Sequence, residues 1–492
     1  MRLSFLYSYN FFLLSLIPLL LIYSFNVGEI PINDLYVPFF ISIGISGLFF
    51  LLFKLKFNST QSGVIISTCL ISFISFGYIN SFFESNFLNL TIILVIIFLF
   101  LAIFSLYQIL KHQISKEINK IFTIFSVVLI IILIPNILLF YFNDNFLENE
   151  NFDIDLNLKF TDHPDIYIII LDEFAGELQL NNDFNYSLEP FFQNLTSYNF
   201  QFPKNSLSNY PNTAYSLPSI LNMDYLEFIP KKVGAESKNT LMAYELRNDN
   251  NFMKILKNND YEIISFYGGM GASGTGSLVH EKHCAPLNIN NDLKEKYLKI
   301  FIPFSIFNNE LINNPLNEKL ECIQNYVIAH ERNSQPESFF IHLRLPHSPY
   351  LYDSNGNFNK NSNFLENDKN AYLEQLKFTE KYTTQLVSSI TKNNPDAYIV
   401  LFSDHGWRGE INWKEQSPEN LIRGHSVILG YRIPDNELNL PDNTSLVNTF
   451  RILINQISNT ELELLDDKFY WYDVEKPNEH YDVSLKILNF LD

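Results

Sequence analysis

Apolar and polar positions divide the chain at roughly one third of its length. Within residues 1–142, apolar side chains run in five long blocks, 3–25, 35–53, 63–83, 88–110 and 121–142, almost free of charge. Each block approaches the roughly 20 residues that an α-helix needs to cross a bilayer core, so each predicts a membrane helix. The first has no small-residue cleavage site after it and four similar blocks behind it, and so reads as a retained helix rather than a signal peptide. Pro135 falls inside the fifth, where a membrane helix tolerates it because neighbouring groups satisfy the freed carbonyl. From residue 164 the blocks shorten. Those at 166–171, 262–266, 338–343 and 397–402 are β-branched or aromatic and bounded by polar residues, which predicts buried strands. Across 372–390, Tyr372, Gln375, Leu376, Thr379, Tyr382, Leu386 and Ile390 fall on one helical face. Strands alternating with helices predict an α/β domain with a mainly parallel sheet between helices. The expected organisation is a transmembrane region at 1–142, a linker at 143–163, an α/β domain at 164–460 and a C-terminal extension at 461–492.

Charge gives this pattern a direction. Arg2, Lys54, Lys56, Lys111, Lys116 and Lys120 all fall on one side if five spans are counted, while the alternate loops carry Glu29, Asp34 and Glu84 and no base. Basic loops stay cytoplasmic. The N-terminus is therefore expected in the cytoplasm and everything after residue 142 outside it, beginning with an Asn- and acid-rich linker that stays solvated. The net charge of −19, from 34 basic and 53 acidic residues, argues against a nucleic-acid partner, which would favour basic stripes. Of three cysteines, Cys69 lies in an apolar block. A disulfide between Cys284 and Cys322 is compatible with that compartment, but spacing alone does not decide it.

Ligands of α/β sheets gather beyond the carboxyl ends of the strands. There the sequence places Asp172 and Glu173 after the first strand, His347 after the third, and Asp404 and His405 after the fourth. Carboxylates and imidazole suit Zn²⁺ or Mn²⁺, and a site with few protein ligands leaves room for substrate. Gly406 would permit a backbone conformation that a larger residue resists. Any one of these residues could belong to an ordinary loop, with Asp404 capping a turn. Together they predict one metal-binding crevice. Thr213, within the segment 209–219, has two readings. A hydroxyl beside a divalent cation has a lowered pKa and can attack phosphorus, and a helix starting there would favour an anion. Threonine is also a common helix N-cap.

Taken in order, the strand ending Leu171-Asp172-Glu173, the Thr213 segment, Pro346-His347-Ser348-Pro349 and Phe402-Ser403-Asp404-His405-Gly406 resemble the sulfatase-like branch of the alkaline phosphatase superfamily. Its membrane-anchored phosphoethanolamine and phosphoglycerol transferases are the most similar in layout, with about five N-terminal spans before an extracytoplasmic catalytic domain. The resemblance implies that Asp172, Asp404 and His405 hold a metal ion, and that Thr213 is both nucleophile and metal contact. It implies that His347 touches the substrate phosphate, and it suggests Lys414 and His425 as further substrate or second-metal contacts. Glu173 gives the chain an acid at both positions of the sulfatase double Asp, which leaves a second metal ion open. Ile220 stands where formylglycine-using sulfatases have Arg, and the cysteines that brace phosphoethanolamine transferase domains are missing. The function implied is a metal-dependent phosphodiester transferase or hydrolase, embedded in the membrane and acting on a lipid-linked or envelope-glycan substrate. The alternatives are a sulfate or phosphate monoester hydrolase using Ser216 or Thr213, and a non-catalytic receptor or scaffold on a degenerate enzyme fold. A transporter is disfavoured because the blocks hold no ionisable residue near mid-membrane. Acceptor and oligomeric state are not written in the sequence.

Overall fold

A computed structural model describes residues 7–25, 32–82, 88–142, 152, 154–237, 240–266, 276–284, 315–358, 367–434, 436–458 and 460–491. The chain forms two compact units, residues 1–145 with 286–315, and residues 146–285 with 316–492. The start of the first apolar block and residues 143–151 and 153 of the linker lie outside the described residues.

In the first unit all five apolar blocks are helical: α1 (Asn10–Phe25), α2 (Tyr36–Lys54), α3 (Ser59–Phe82), α4 (Leu88–Lys111) and α5 (Ser115–Phe142). Three stretches, Tyr7–Ser24, Tyr36–Lys54 and Ser115–Pro135, are long and apolar enough to cross a membrane. The apolar described stretches of α3 and α4, Ser59–Ser75 and Ile96–Lys111, are shorter. Among the described residues there are therefore three candidate spans where five were expected. Serines and threonines dilute the hydropathy of α3.

The packing of this unit inverts that of a soluble bundle. Phe40, Leu51, Ile103 and Ile131 are each more than 60% exposed, whereas the helix contacts include buried polar groups. Ser67 Oγ donates to Asn10 Oδ1 at 2.9 Å and Asn119 Nδ2 donates to the Thr60 carbonyl at 2.8 Å, tying α1, α3 and α5 together. Where the surrounding solvent is apolar, association rests on such hydrogen bonds and close packing.

The second unit is built on a seven-stranded sheet. Its strands, with those of a small neighbouring sheet, are β1 (Ile166–Leu171), β2 (Phe200–Gln201), β3 (Asn205–Leu207), β4 (Glu262–Phe266), β5 (Glu281–His283), β6 (Glu337–Leu343), β7 (Tyr398–Ser403), β8 (Ser426–Val427), β9 (Leu429–Arg432) and β10 (Asn443–Ser445). The main order is β2-β9-β7-β1-β6-β4-β5. The five strands from β7 to β5 are mutually parallel, and β9 and β2 add antiparallel pairings at one edge, so the sheet is mixed around a parallel centre. All six residues of β1 are buried. Alternate side chains serve opposite cores: Tyr167, Ile169 and Leu171 pack with Tyr372, Leu376 and Ile390 of the helix Lys369–Asn393, whereas Ile166, Ile168 and Ile170 pack with Leu217 and Ile220 of the helix Thr213–Asn222. Helices on both faces explain why these strands read as continuous apolar runs.

Register sets the site. Leu171 pairs with Leu343 and with Ser403, so β1, β6 and β7 end level and the next residues, Asp172, Arg344 and Asp404, emerge along one edge. Cys284 and Cys322 form a disulfide that joins the segment after β5 to the helix Pro315–Ala329. The C-terminal residues pack beside the Thr213 segment. Asn209 accepts from the Tyr470 amide at 2.9 Å and donates to the Lys468 carbonyl at 2.8 Å, and the Tyr215 hydroxyl donates to Asn478 Oδ1 at 2.6 Å.

Candidate active site

Asp172 leaves β1 with its amide bonded to the Leu343 carbonyl, and its own carbonyl receives the His347 amide at 3.1 Å. Glu173 follows with φ +65°, a left-handed turn that sends its side chain away from that of Asp172. Its amide donates to Asp404 Oδ1 at 3.1 Å, as does the His405 amide at 2.9 Å. One carboxylate oxygen of Asp404 thus staples the two strand ends together, while its other oxygen remains for a ligand.

Asp172, Asp404 and His405 each offer a ligand atom, and these atoms lie within 4.8 Å of one another. His405 Nε2 is 3.7 Å from Asp172 Oδ1 and 3.6 Å from Asp404 Oδ2. Its Nδ1–H is directed at the Gly406 carbonyl, 2.9 Å away, which leaves an unprotonated Nε2 facing the carboxylates. Asp172 Oδ1 and Asp404 Oδ2 are buried without a hydrogen-bond partner among the described residues. Burial pushes the Asp404 carboxyl well up, reinforced by the charge of Asp172. Burial also opposes ionisation of Asp172, but His347, His342, His405 and Arg344 outweigh it and hold that carboxyl at about 2. Burial drives the His405 imidazole down to about 3, so it stays neutral. Two converging buried carboxylates that cannot share one charge comfortably, with an imidazole lone pair aimed between them, are short of positive charge. This donor set fits a divalent cation.

Thr213 opens its helix but does not cap it. Asn212 is the N-cap, its side chain accepting from the Ala214 amide. The Thr213 hydroxyl is therefore free of that duty and lies 3.1 Å from His405 Nε2, beside the ligand group. Ser216, the other candidate nucleophile, is buried and donates to the Asp404 carbonyl at 2.5 Å, which Ser208 Oγ also reaches at 2.7 Å. These two serines hold the Asp404 backbone against the helix Thr213–Asn222.

The remaining acid turns elsewhere. Glu173 Oε1 accepts from the Arg408 amide at 2.9 Å and from its Nε at 3.3 Å, and Glu173 Oε2 is 3.8 Å from His347 Nε2. Burial raises the Glu173 carboxyl, but Arg408, His347 and His405 together with the Arg408 amide outweigh it and the net shift is downward. Lys414 lies exposed in the loop after Gly406, and His425 is wholly buried, with Nδ1 2.6 Å from the Ser208 carbonyl and its ring against Phe469 and Trp471. Among the described residues neither joins the ligand group.

Several residues that hold the site were missed from sequence. Gln375, buried on the helix Lys369–Asn393, donates to the Pro346 and His347 carbonyls at 3.0 Å each and accepts from the Leu351 amide at 2.6 Å, fixing the His347 loop. Gln179 clasps the Trp407 backbone, donating to its carbonyl at 2.6 Å and accepting from its amide at 2.9 Å. A glutamine among the core-facing positions of the helix was the one available signal for Gln375. Arg408 had none. Gly406 is required for a different reason from the one expected. A Cβ there would stand 2.2 Å from the Arg423 carbonyl oxygen, so close backbone approach, not a special dihedral, excludes a side chain.

The family model described as Sulfatase matches residues 164–428, more than half the chain. The chain belongs to the sulfatase family. It therefore falls in the sulfatase-like branch of the alkaline phosphatase superfamily, among its hydrolases and transferases, as the order of motifs implied. No curated protein matches it. Similar solved structures include the C-terminal periplasmic domain of EcEptC from Escherichia coli, with 13% identity over 65% of this chain and 93% of that one and a TM-score of 0.43. The corresponding EptC domain of the phosphoethanolamine transferase from Campylobacter jejuni has 15% identity over 64% and 95%, with a TM-score of 0.36. The integral membrane lipooligosaccharide phosphoethanolamine transferase A of Neisseria meningitidis has 13% identity over 92% and 94%, with a TM-score of 0.39. The sulfatase match stops at residue 428, so β9 and the C-terminal residues that pack against the Thr213 segment lie beyond it.

Proposed function

We propose that this sulfatase-family protein is a membrane-anchored phosphodiester transferase or hydrolase with Thr213 as nucleophile, acting on a lipid-linked or envelope-glycan phosphoester. The observation that carries the reading is the Thr213 hydroxyl, released from helix capping and held 3.1 Å from His405 Nε2 beside two unpartnered carboxylate oxygens. Asp172, Asp404 and His405 are the proposed ligands of one divalent cation, Zn²⁺ or Mn²⁺. When bound, that cation would supply the charge that lowers the pKa of a neighbouring hydroxyl and offsets charge on phosphoryl oxygens. Thr213 Oγ1 attacks phosphorus, the P–O bond to the leaving alcohol breaks, and the departing oxygen takes up a proton to replace the one Thr213 has lost. The positive end of the helix Thr213–Asn222 favours the anionic group beside it. His347 borders the same position. An acceptor alcohol, in a transferase, or water, in a hydrolase, then attacks the phosphothreonine and restores Thr213.

The membrane reading rests on the apolar helices. We propose five crossings, with α3 and α4 completing a pair, but the side on which the second unit lies does not depend on that pair. With three spans or five, Lys54, Lys56, Lys111, Lys116 and Lys120 remain with the N-terminus, which by the basic-loop rule is cytoplasmic. The Cys284–Cys322 disulfide suits an oxidising compartment for the second unit. Anchoring confines the enzyme to the surface that holds a lipid-linked substrate.

The test is turnover by the full-length protein on bis-p-nitrophenyl phosphate, a sulfate monoester and a headgroup-labelled phospholipid. Thr213→Ala is expected to lower phosphodiester turnover on the order of 10³-fold or more. Asp404→Ala is expected to lose stoichiometric metal. Label retained on Thr213 after acid quench would mark the intermediate. Undiminished turnover in Thr213→Ala, or a preference for the sulfate ester that depends on Ser216, would overturn the reading.

A further inference from the structure

Resting on that reading, we propose that Arg408 is a catalytic residue that binds the phosphoryl group undergoing transfer, and that Glu173 is its anchor rather than a ligand of a second metal ion.

The two acids after β1 do different things. Asp172 points its unpartnered oxygen at Asp404 and His405. Glu173, turned by its positive φ, belongs to no metal-type group among the described residues and spends Oε1 on both the amide and the Nε of Arg408. A carboxylate that already receives two N–H groups and an opposite charge has little left to offer a second cation. Its own backbone is fixed on both sides, with the amide bonded to Asp404 Oδ1 and the carbonyl receiving the Tyr372 hydroxyl at 2.9 Å. Arg408 is thus held at its backbone and at the root of its guanidinium by a residue that cannot swing away.

The far end of the guanidinium is placed differently. Nη2 approaches His347 Nε2 at 3.4 Å. His347 directs its Nδ1–H at the Ser348 carbonyl, 2.5 Å away, so the atom it turns to Arg408 is an acceptor. Of the five guanidinium N–H donors, those on Nη1 have no protein partner among the described residues. The side chain of Arg408 is 21% exposed whereas that of Glu173 is 6% exposed, so the guanidinium is the more accessible member of the pair. A planar fork with free donors, fixed beside the proposed metal ligands, matches two non-bridging oxygens of a phosphoryl group. The site then carries one divalent cation and one guanidinium, and Arg408 meets charge that grows on those oxygens as the reaction proceeds.

The experiment compares wild type, Arg408→Ala, Arg408→Lys, Glu173→Gln and Thr213→Ala as full-length protein in detergent. Three readouts are taken: metal per chain by elemental analysis, inorganic phosphate affinity by calorimetry, and bis-p-nitrophenyl phosphate turnover. One metal ion per chain is expected in wild type and in the Arg408 and Glu173 variants. Arg408→Ala should lower kcat about 10²-fold and weaken phosphate binding at least tenfold, with Arg408→Lys intermediate because it keeps charge but not the fork. Glu173→Gln should move in the same direction by a smaller factor. Two metal ions in wild type, one of them lost in Glu173→Gln, would overturn the proposal. So would full phosphate affinity and turnover in Arg408→Ala while Thr213→Ala is inactive, an outcome that leaves the nucleophile reading standing. If Arg408→Ala does not fold, Arg408→Lys and the metal count still decide. Activity in Thr213→Ala would instead remove the reading on which the proposal rests.

Discussion

Single side chains in this protein are tuned by burial and by what burial leaves unpaired. Asp172 and Asp404 have opposite shifts although both are buried, because histidines and Arg344 surround the first and the charge of the first acts on the second. Glu380 shows the same physics away from the site. It accepts from the Tyr186 hydroxyl at 3.1 and 3.0 Å, yet burial pushes its carboxyl up to about 7. In the unfolded chain it titrates at an ordinary value of about 4.3. The folded state therefore holds the proton more tightly, and this group's effect on stability declines as pH rises from that value to about 7, with the penalty complete above. Glu380→Gln keeps an acceptor for Tyr186 and removes the charge. It is expected to raise the midpoint of heat denaturation at pH 8, by the equivalent of roughly 1–2 kcal/mol, and to leave it unchanged near pH 4. Equal effects at both pH values would show that the carboxyl is not the cause.

At the scale of elements, the site depends on three strands ending level and on two glutamines that hold the loops they release. β1, β6 and β7 deliver Asp172, the His347 loop and Asp404 to one edge, but the residues after a strand have no ladder to fix them. Gln375 replaces the ladder for the loop at 345–352 by satisfying two carbonyls and the Leu351 and Tyr352 amides. Gln375→Leu keeps the helical face apolar and strands those groups. Stability is expected to fall by about 2–4 kcal/mol, because each buried polar group left unpaired costs about 1–3 kcal/mol before the loop relaxes. Turnover should fall further than metal content, since His347 moves while Asp172, Asp404 and His405 stay. Unchanged thermal stability in this variant would mean that the loop is held by other contacts. The element pattern itself was legible. Strands expected at 166–171, 262–266, 338–343 and 397–402 appear within a residue of those limits, because fully buried parallel strands must be continuous apolar runs. The short strands β2, β3 and β8 to β10 were not legible, because two to four residues carry no periodicity to read.

For the whole molecule, an outwardly apolar helical unit is joined to an α/β unit that belongs to the sulfatase family. The basic loops predict which side each faces. In a Cys69→Ser background, Asp34→Cys is expected to react with a membrane-impermeant thiol reagent on intact cells, whereas Lys56→Cys should react only after lysis. The reverse pattern would invert the proposed topology and place the esterase site in the cytoplasm.

Composition and period alone determined the division into an apolar helical region and an α/β domain, the direction of the charge bias, and the strand ends where ligands gather. Those are local properties: a block of about 20 apolar residues or a run of five reports its environment without reference to the rest of the chain. The motif order also revealed the family. The tertiary structure decided what each functional group has left to give. Asn212 takes the helix cap and leaves Thr213 its hydroxyl, and Ser216 is committed to the Asp404 carbonyl. Glu173 turns to an arginine 235 residues away in sequence. Such assignments depend on which donor meets which acceptor across distant segments, and spacing along the chain does not encode that pairing.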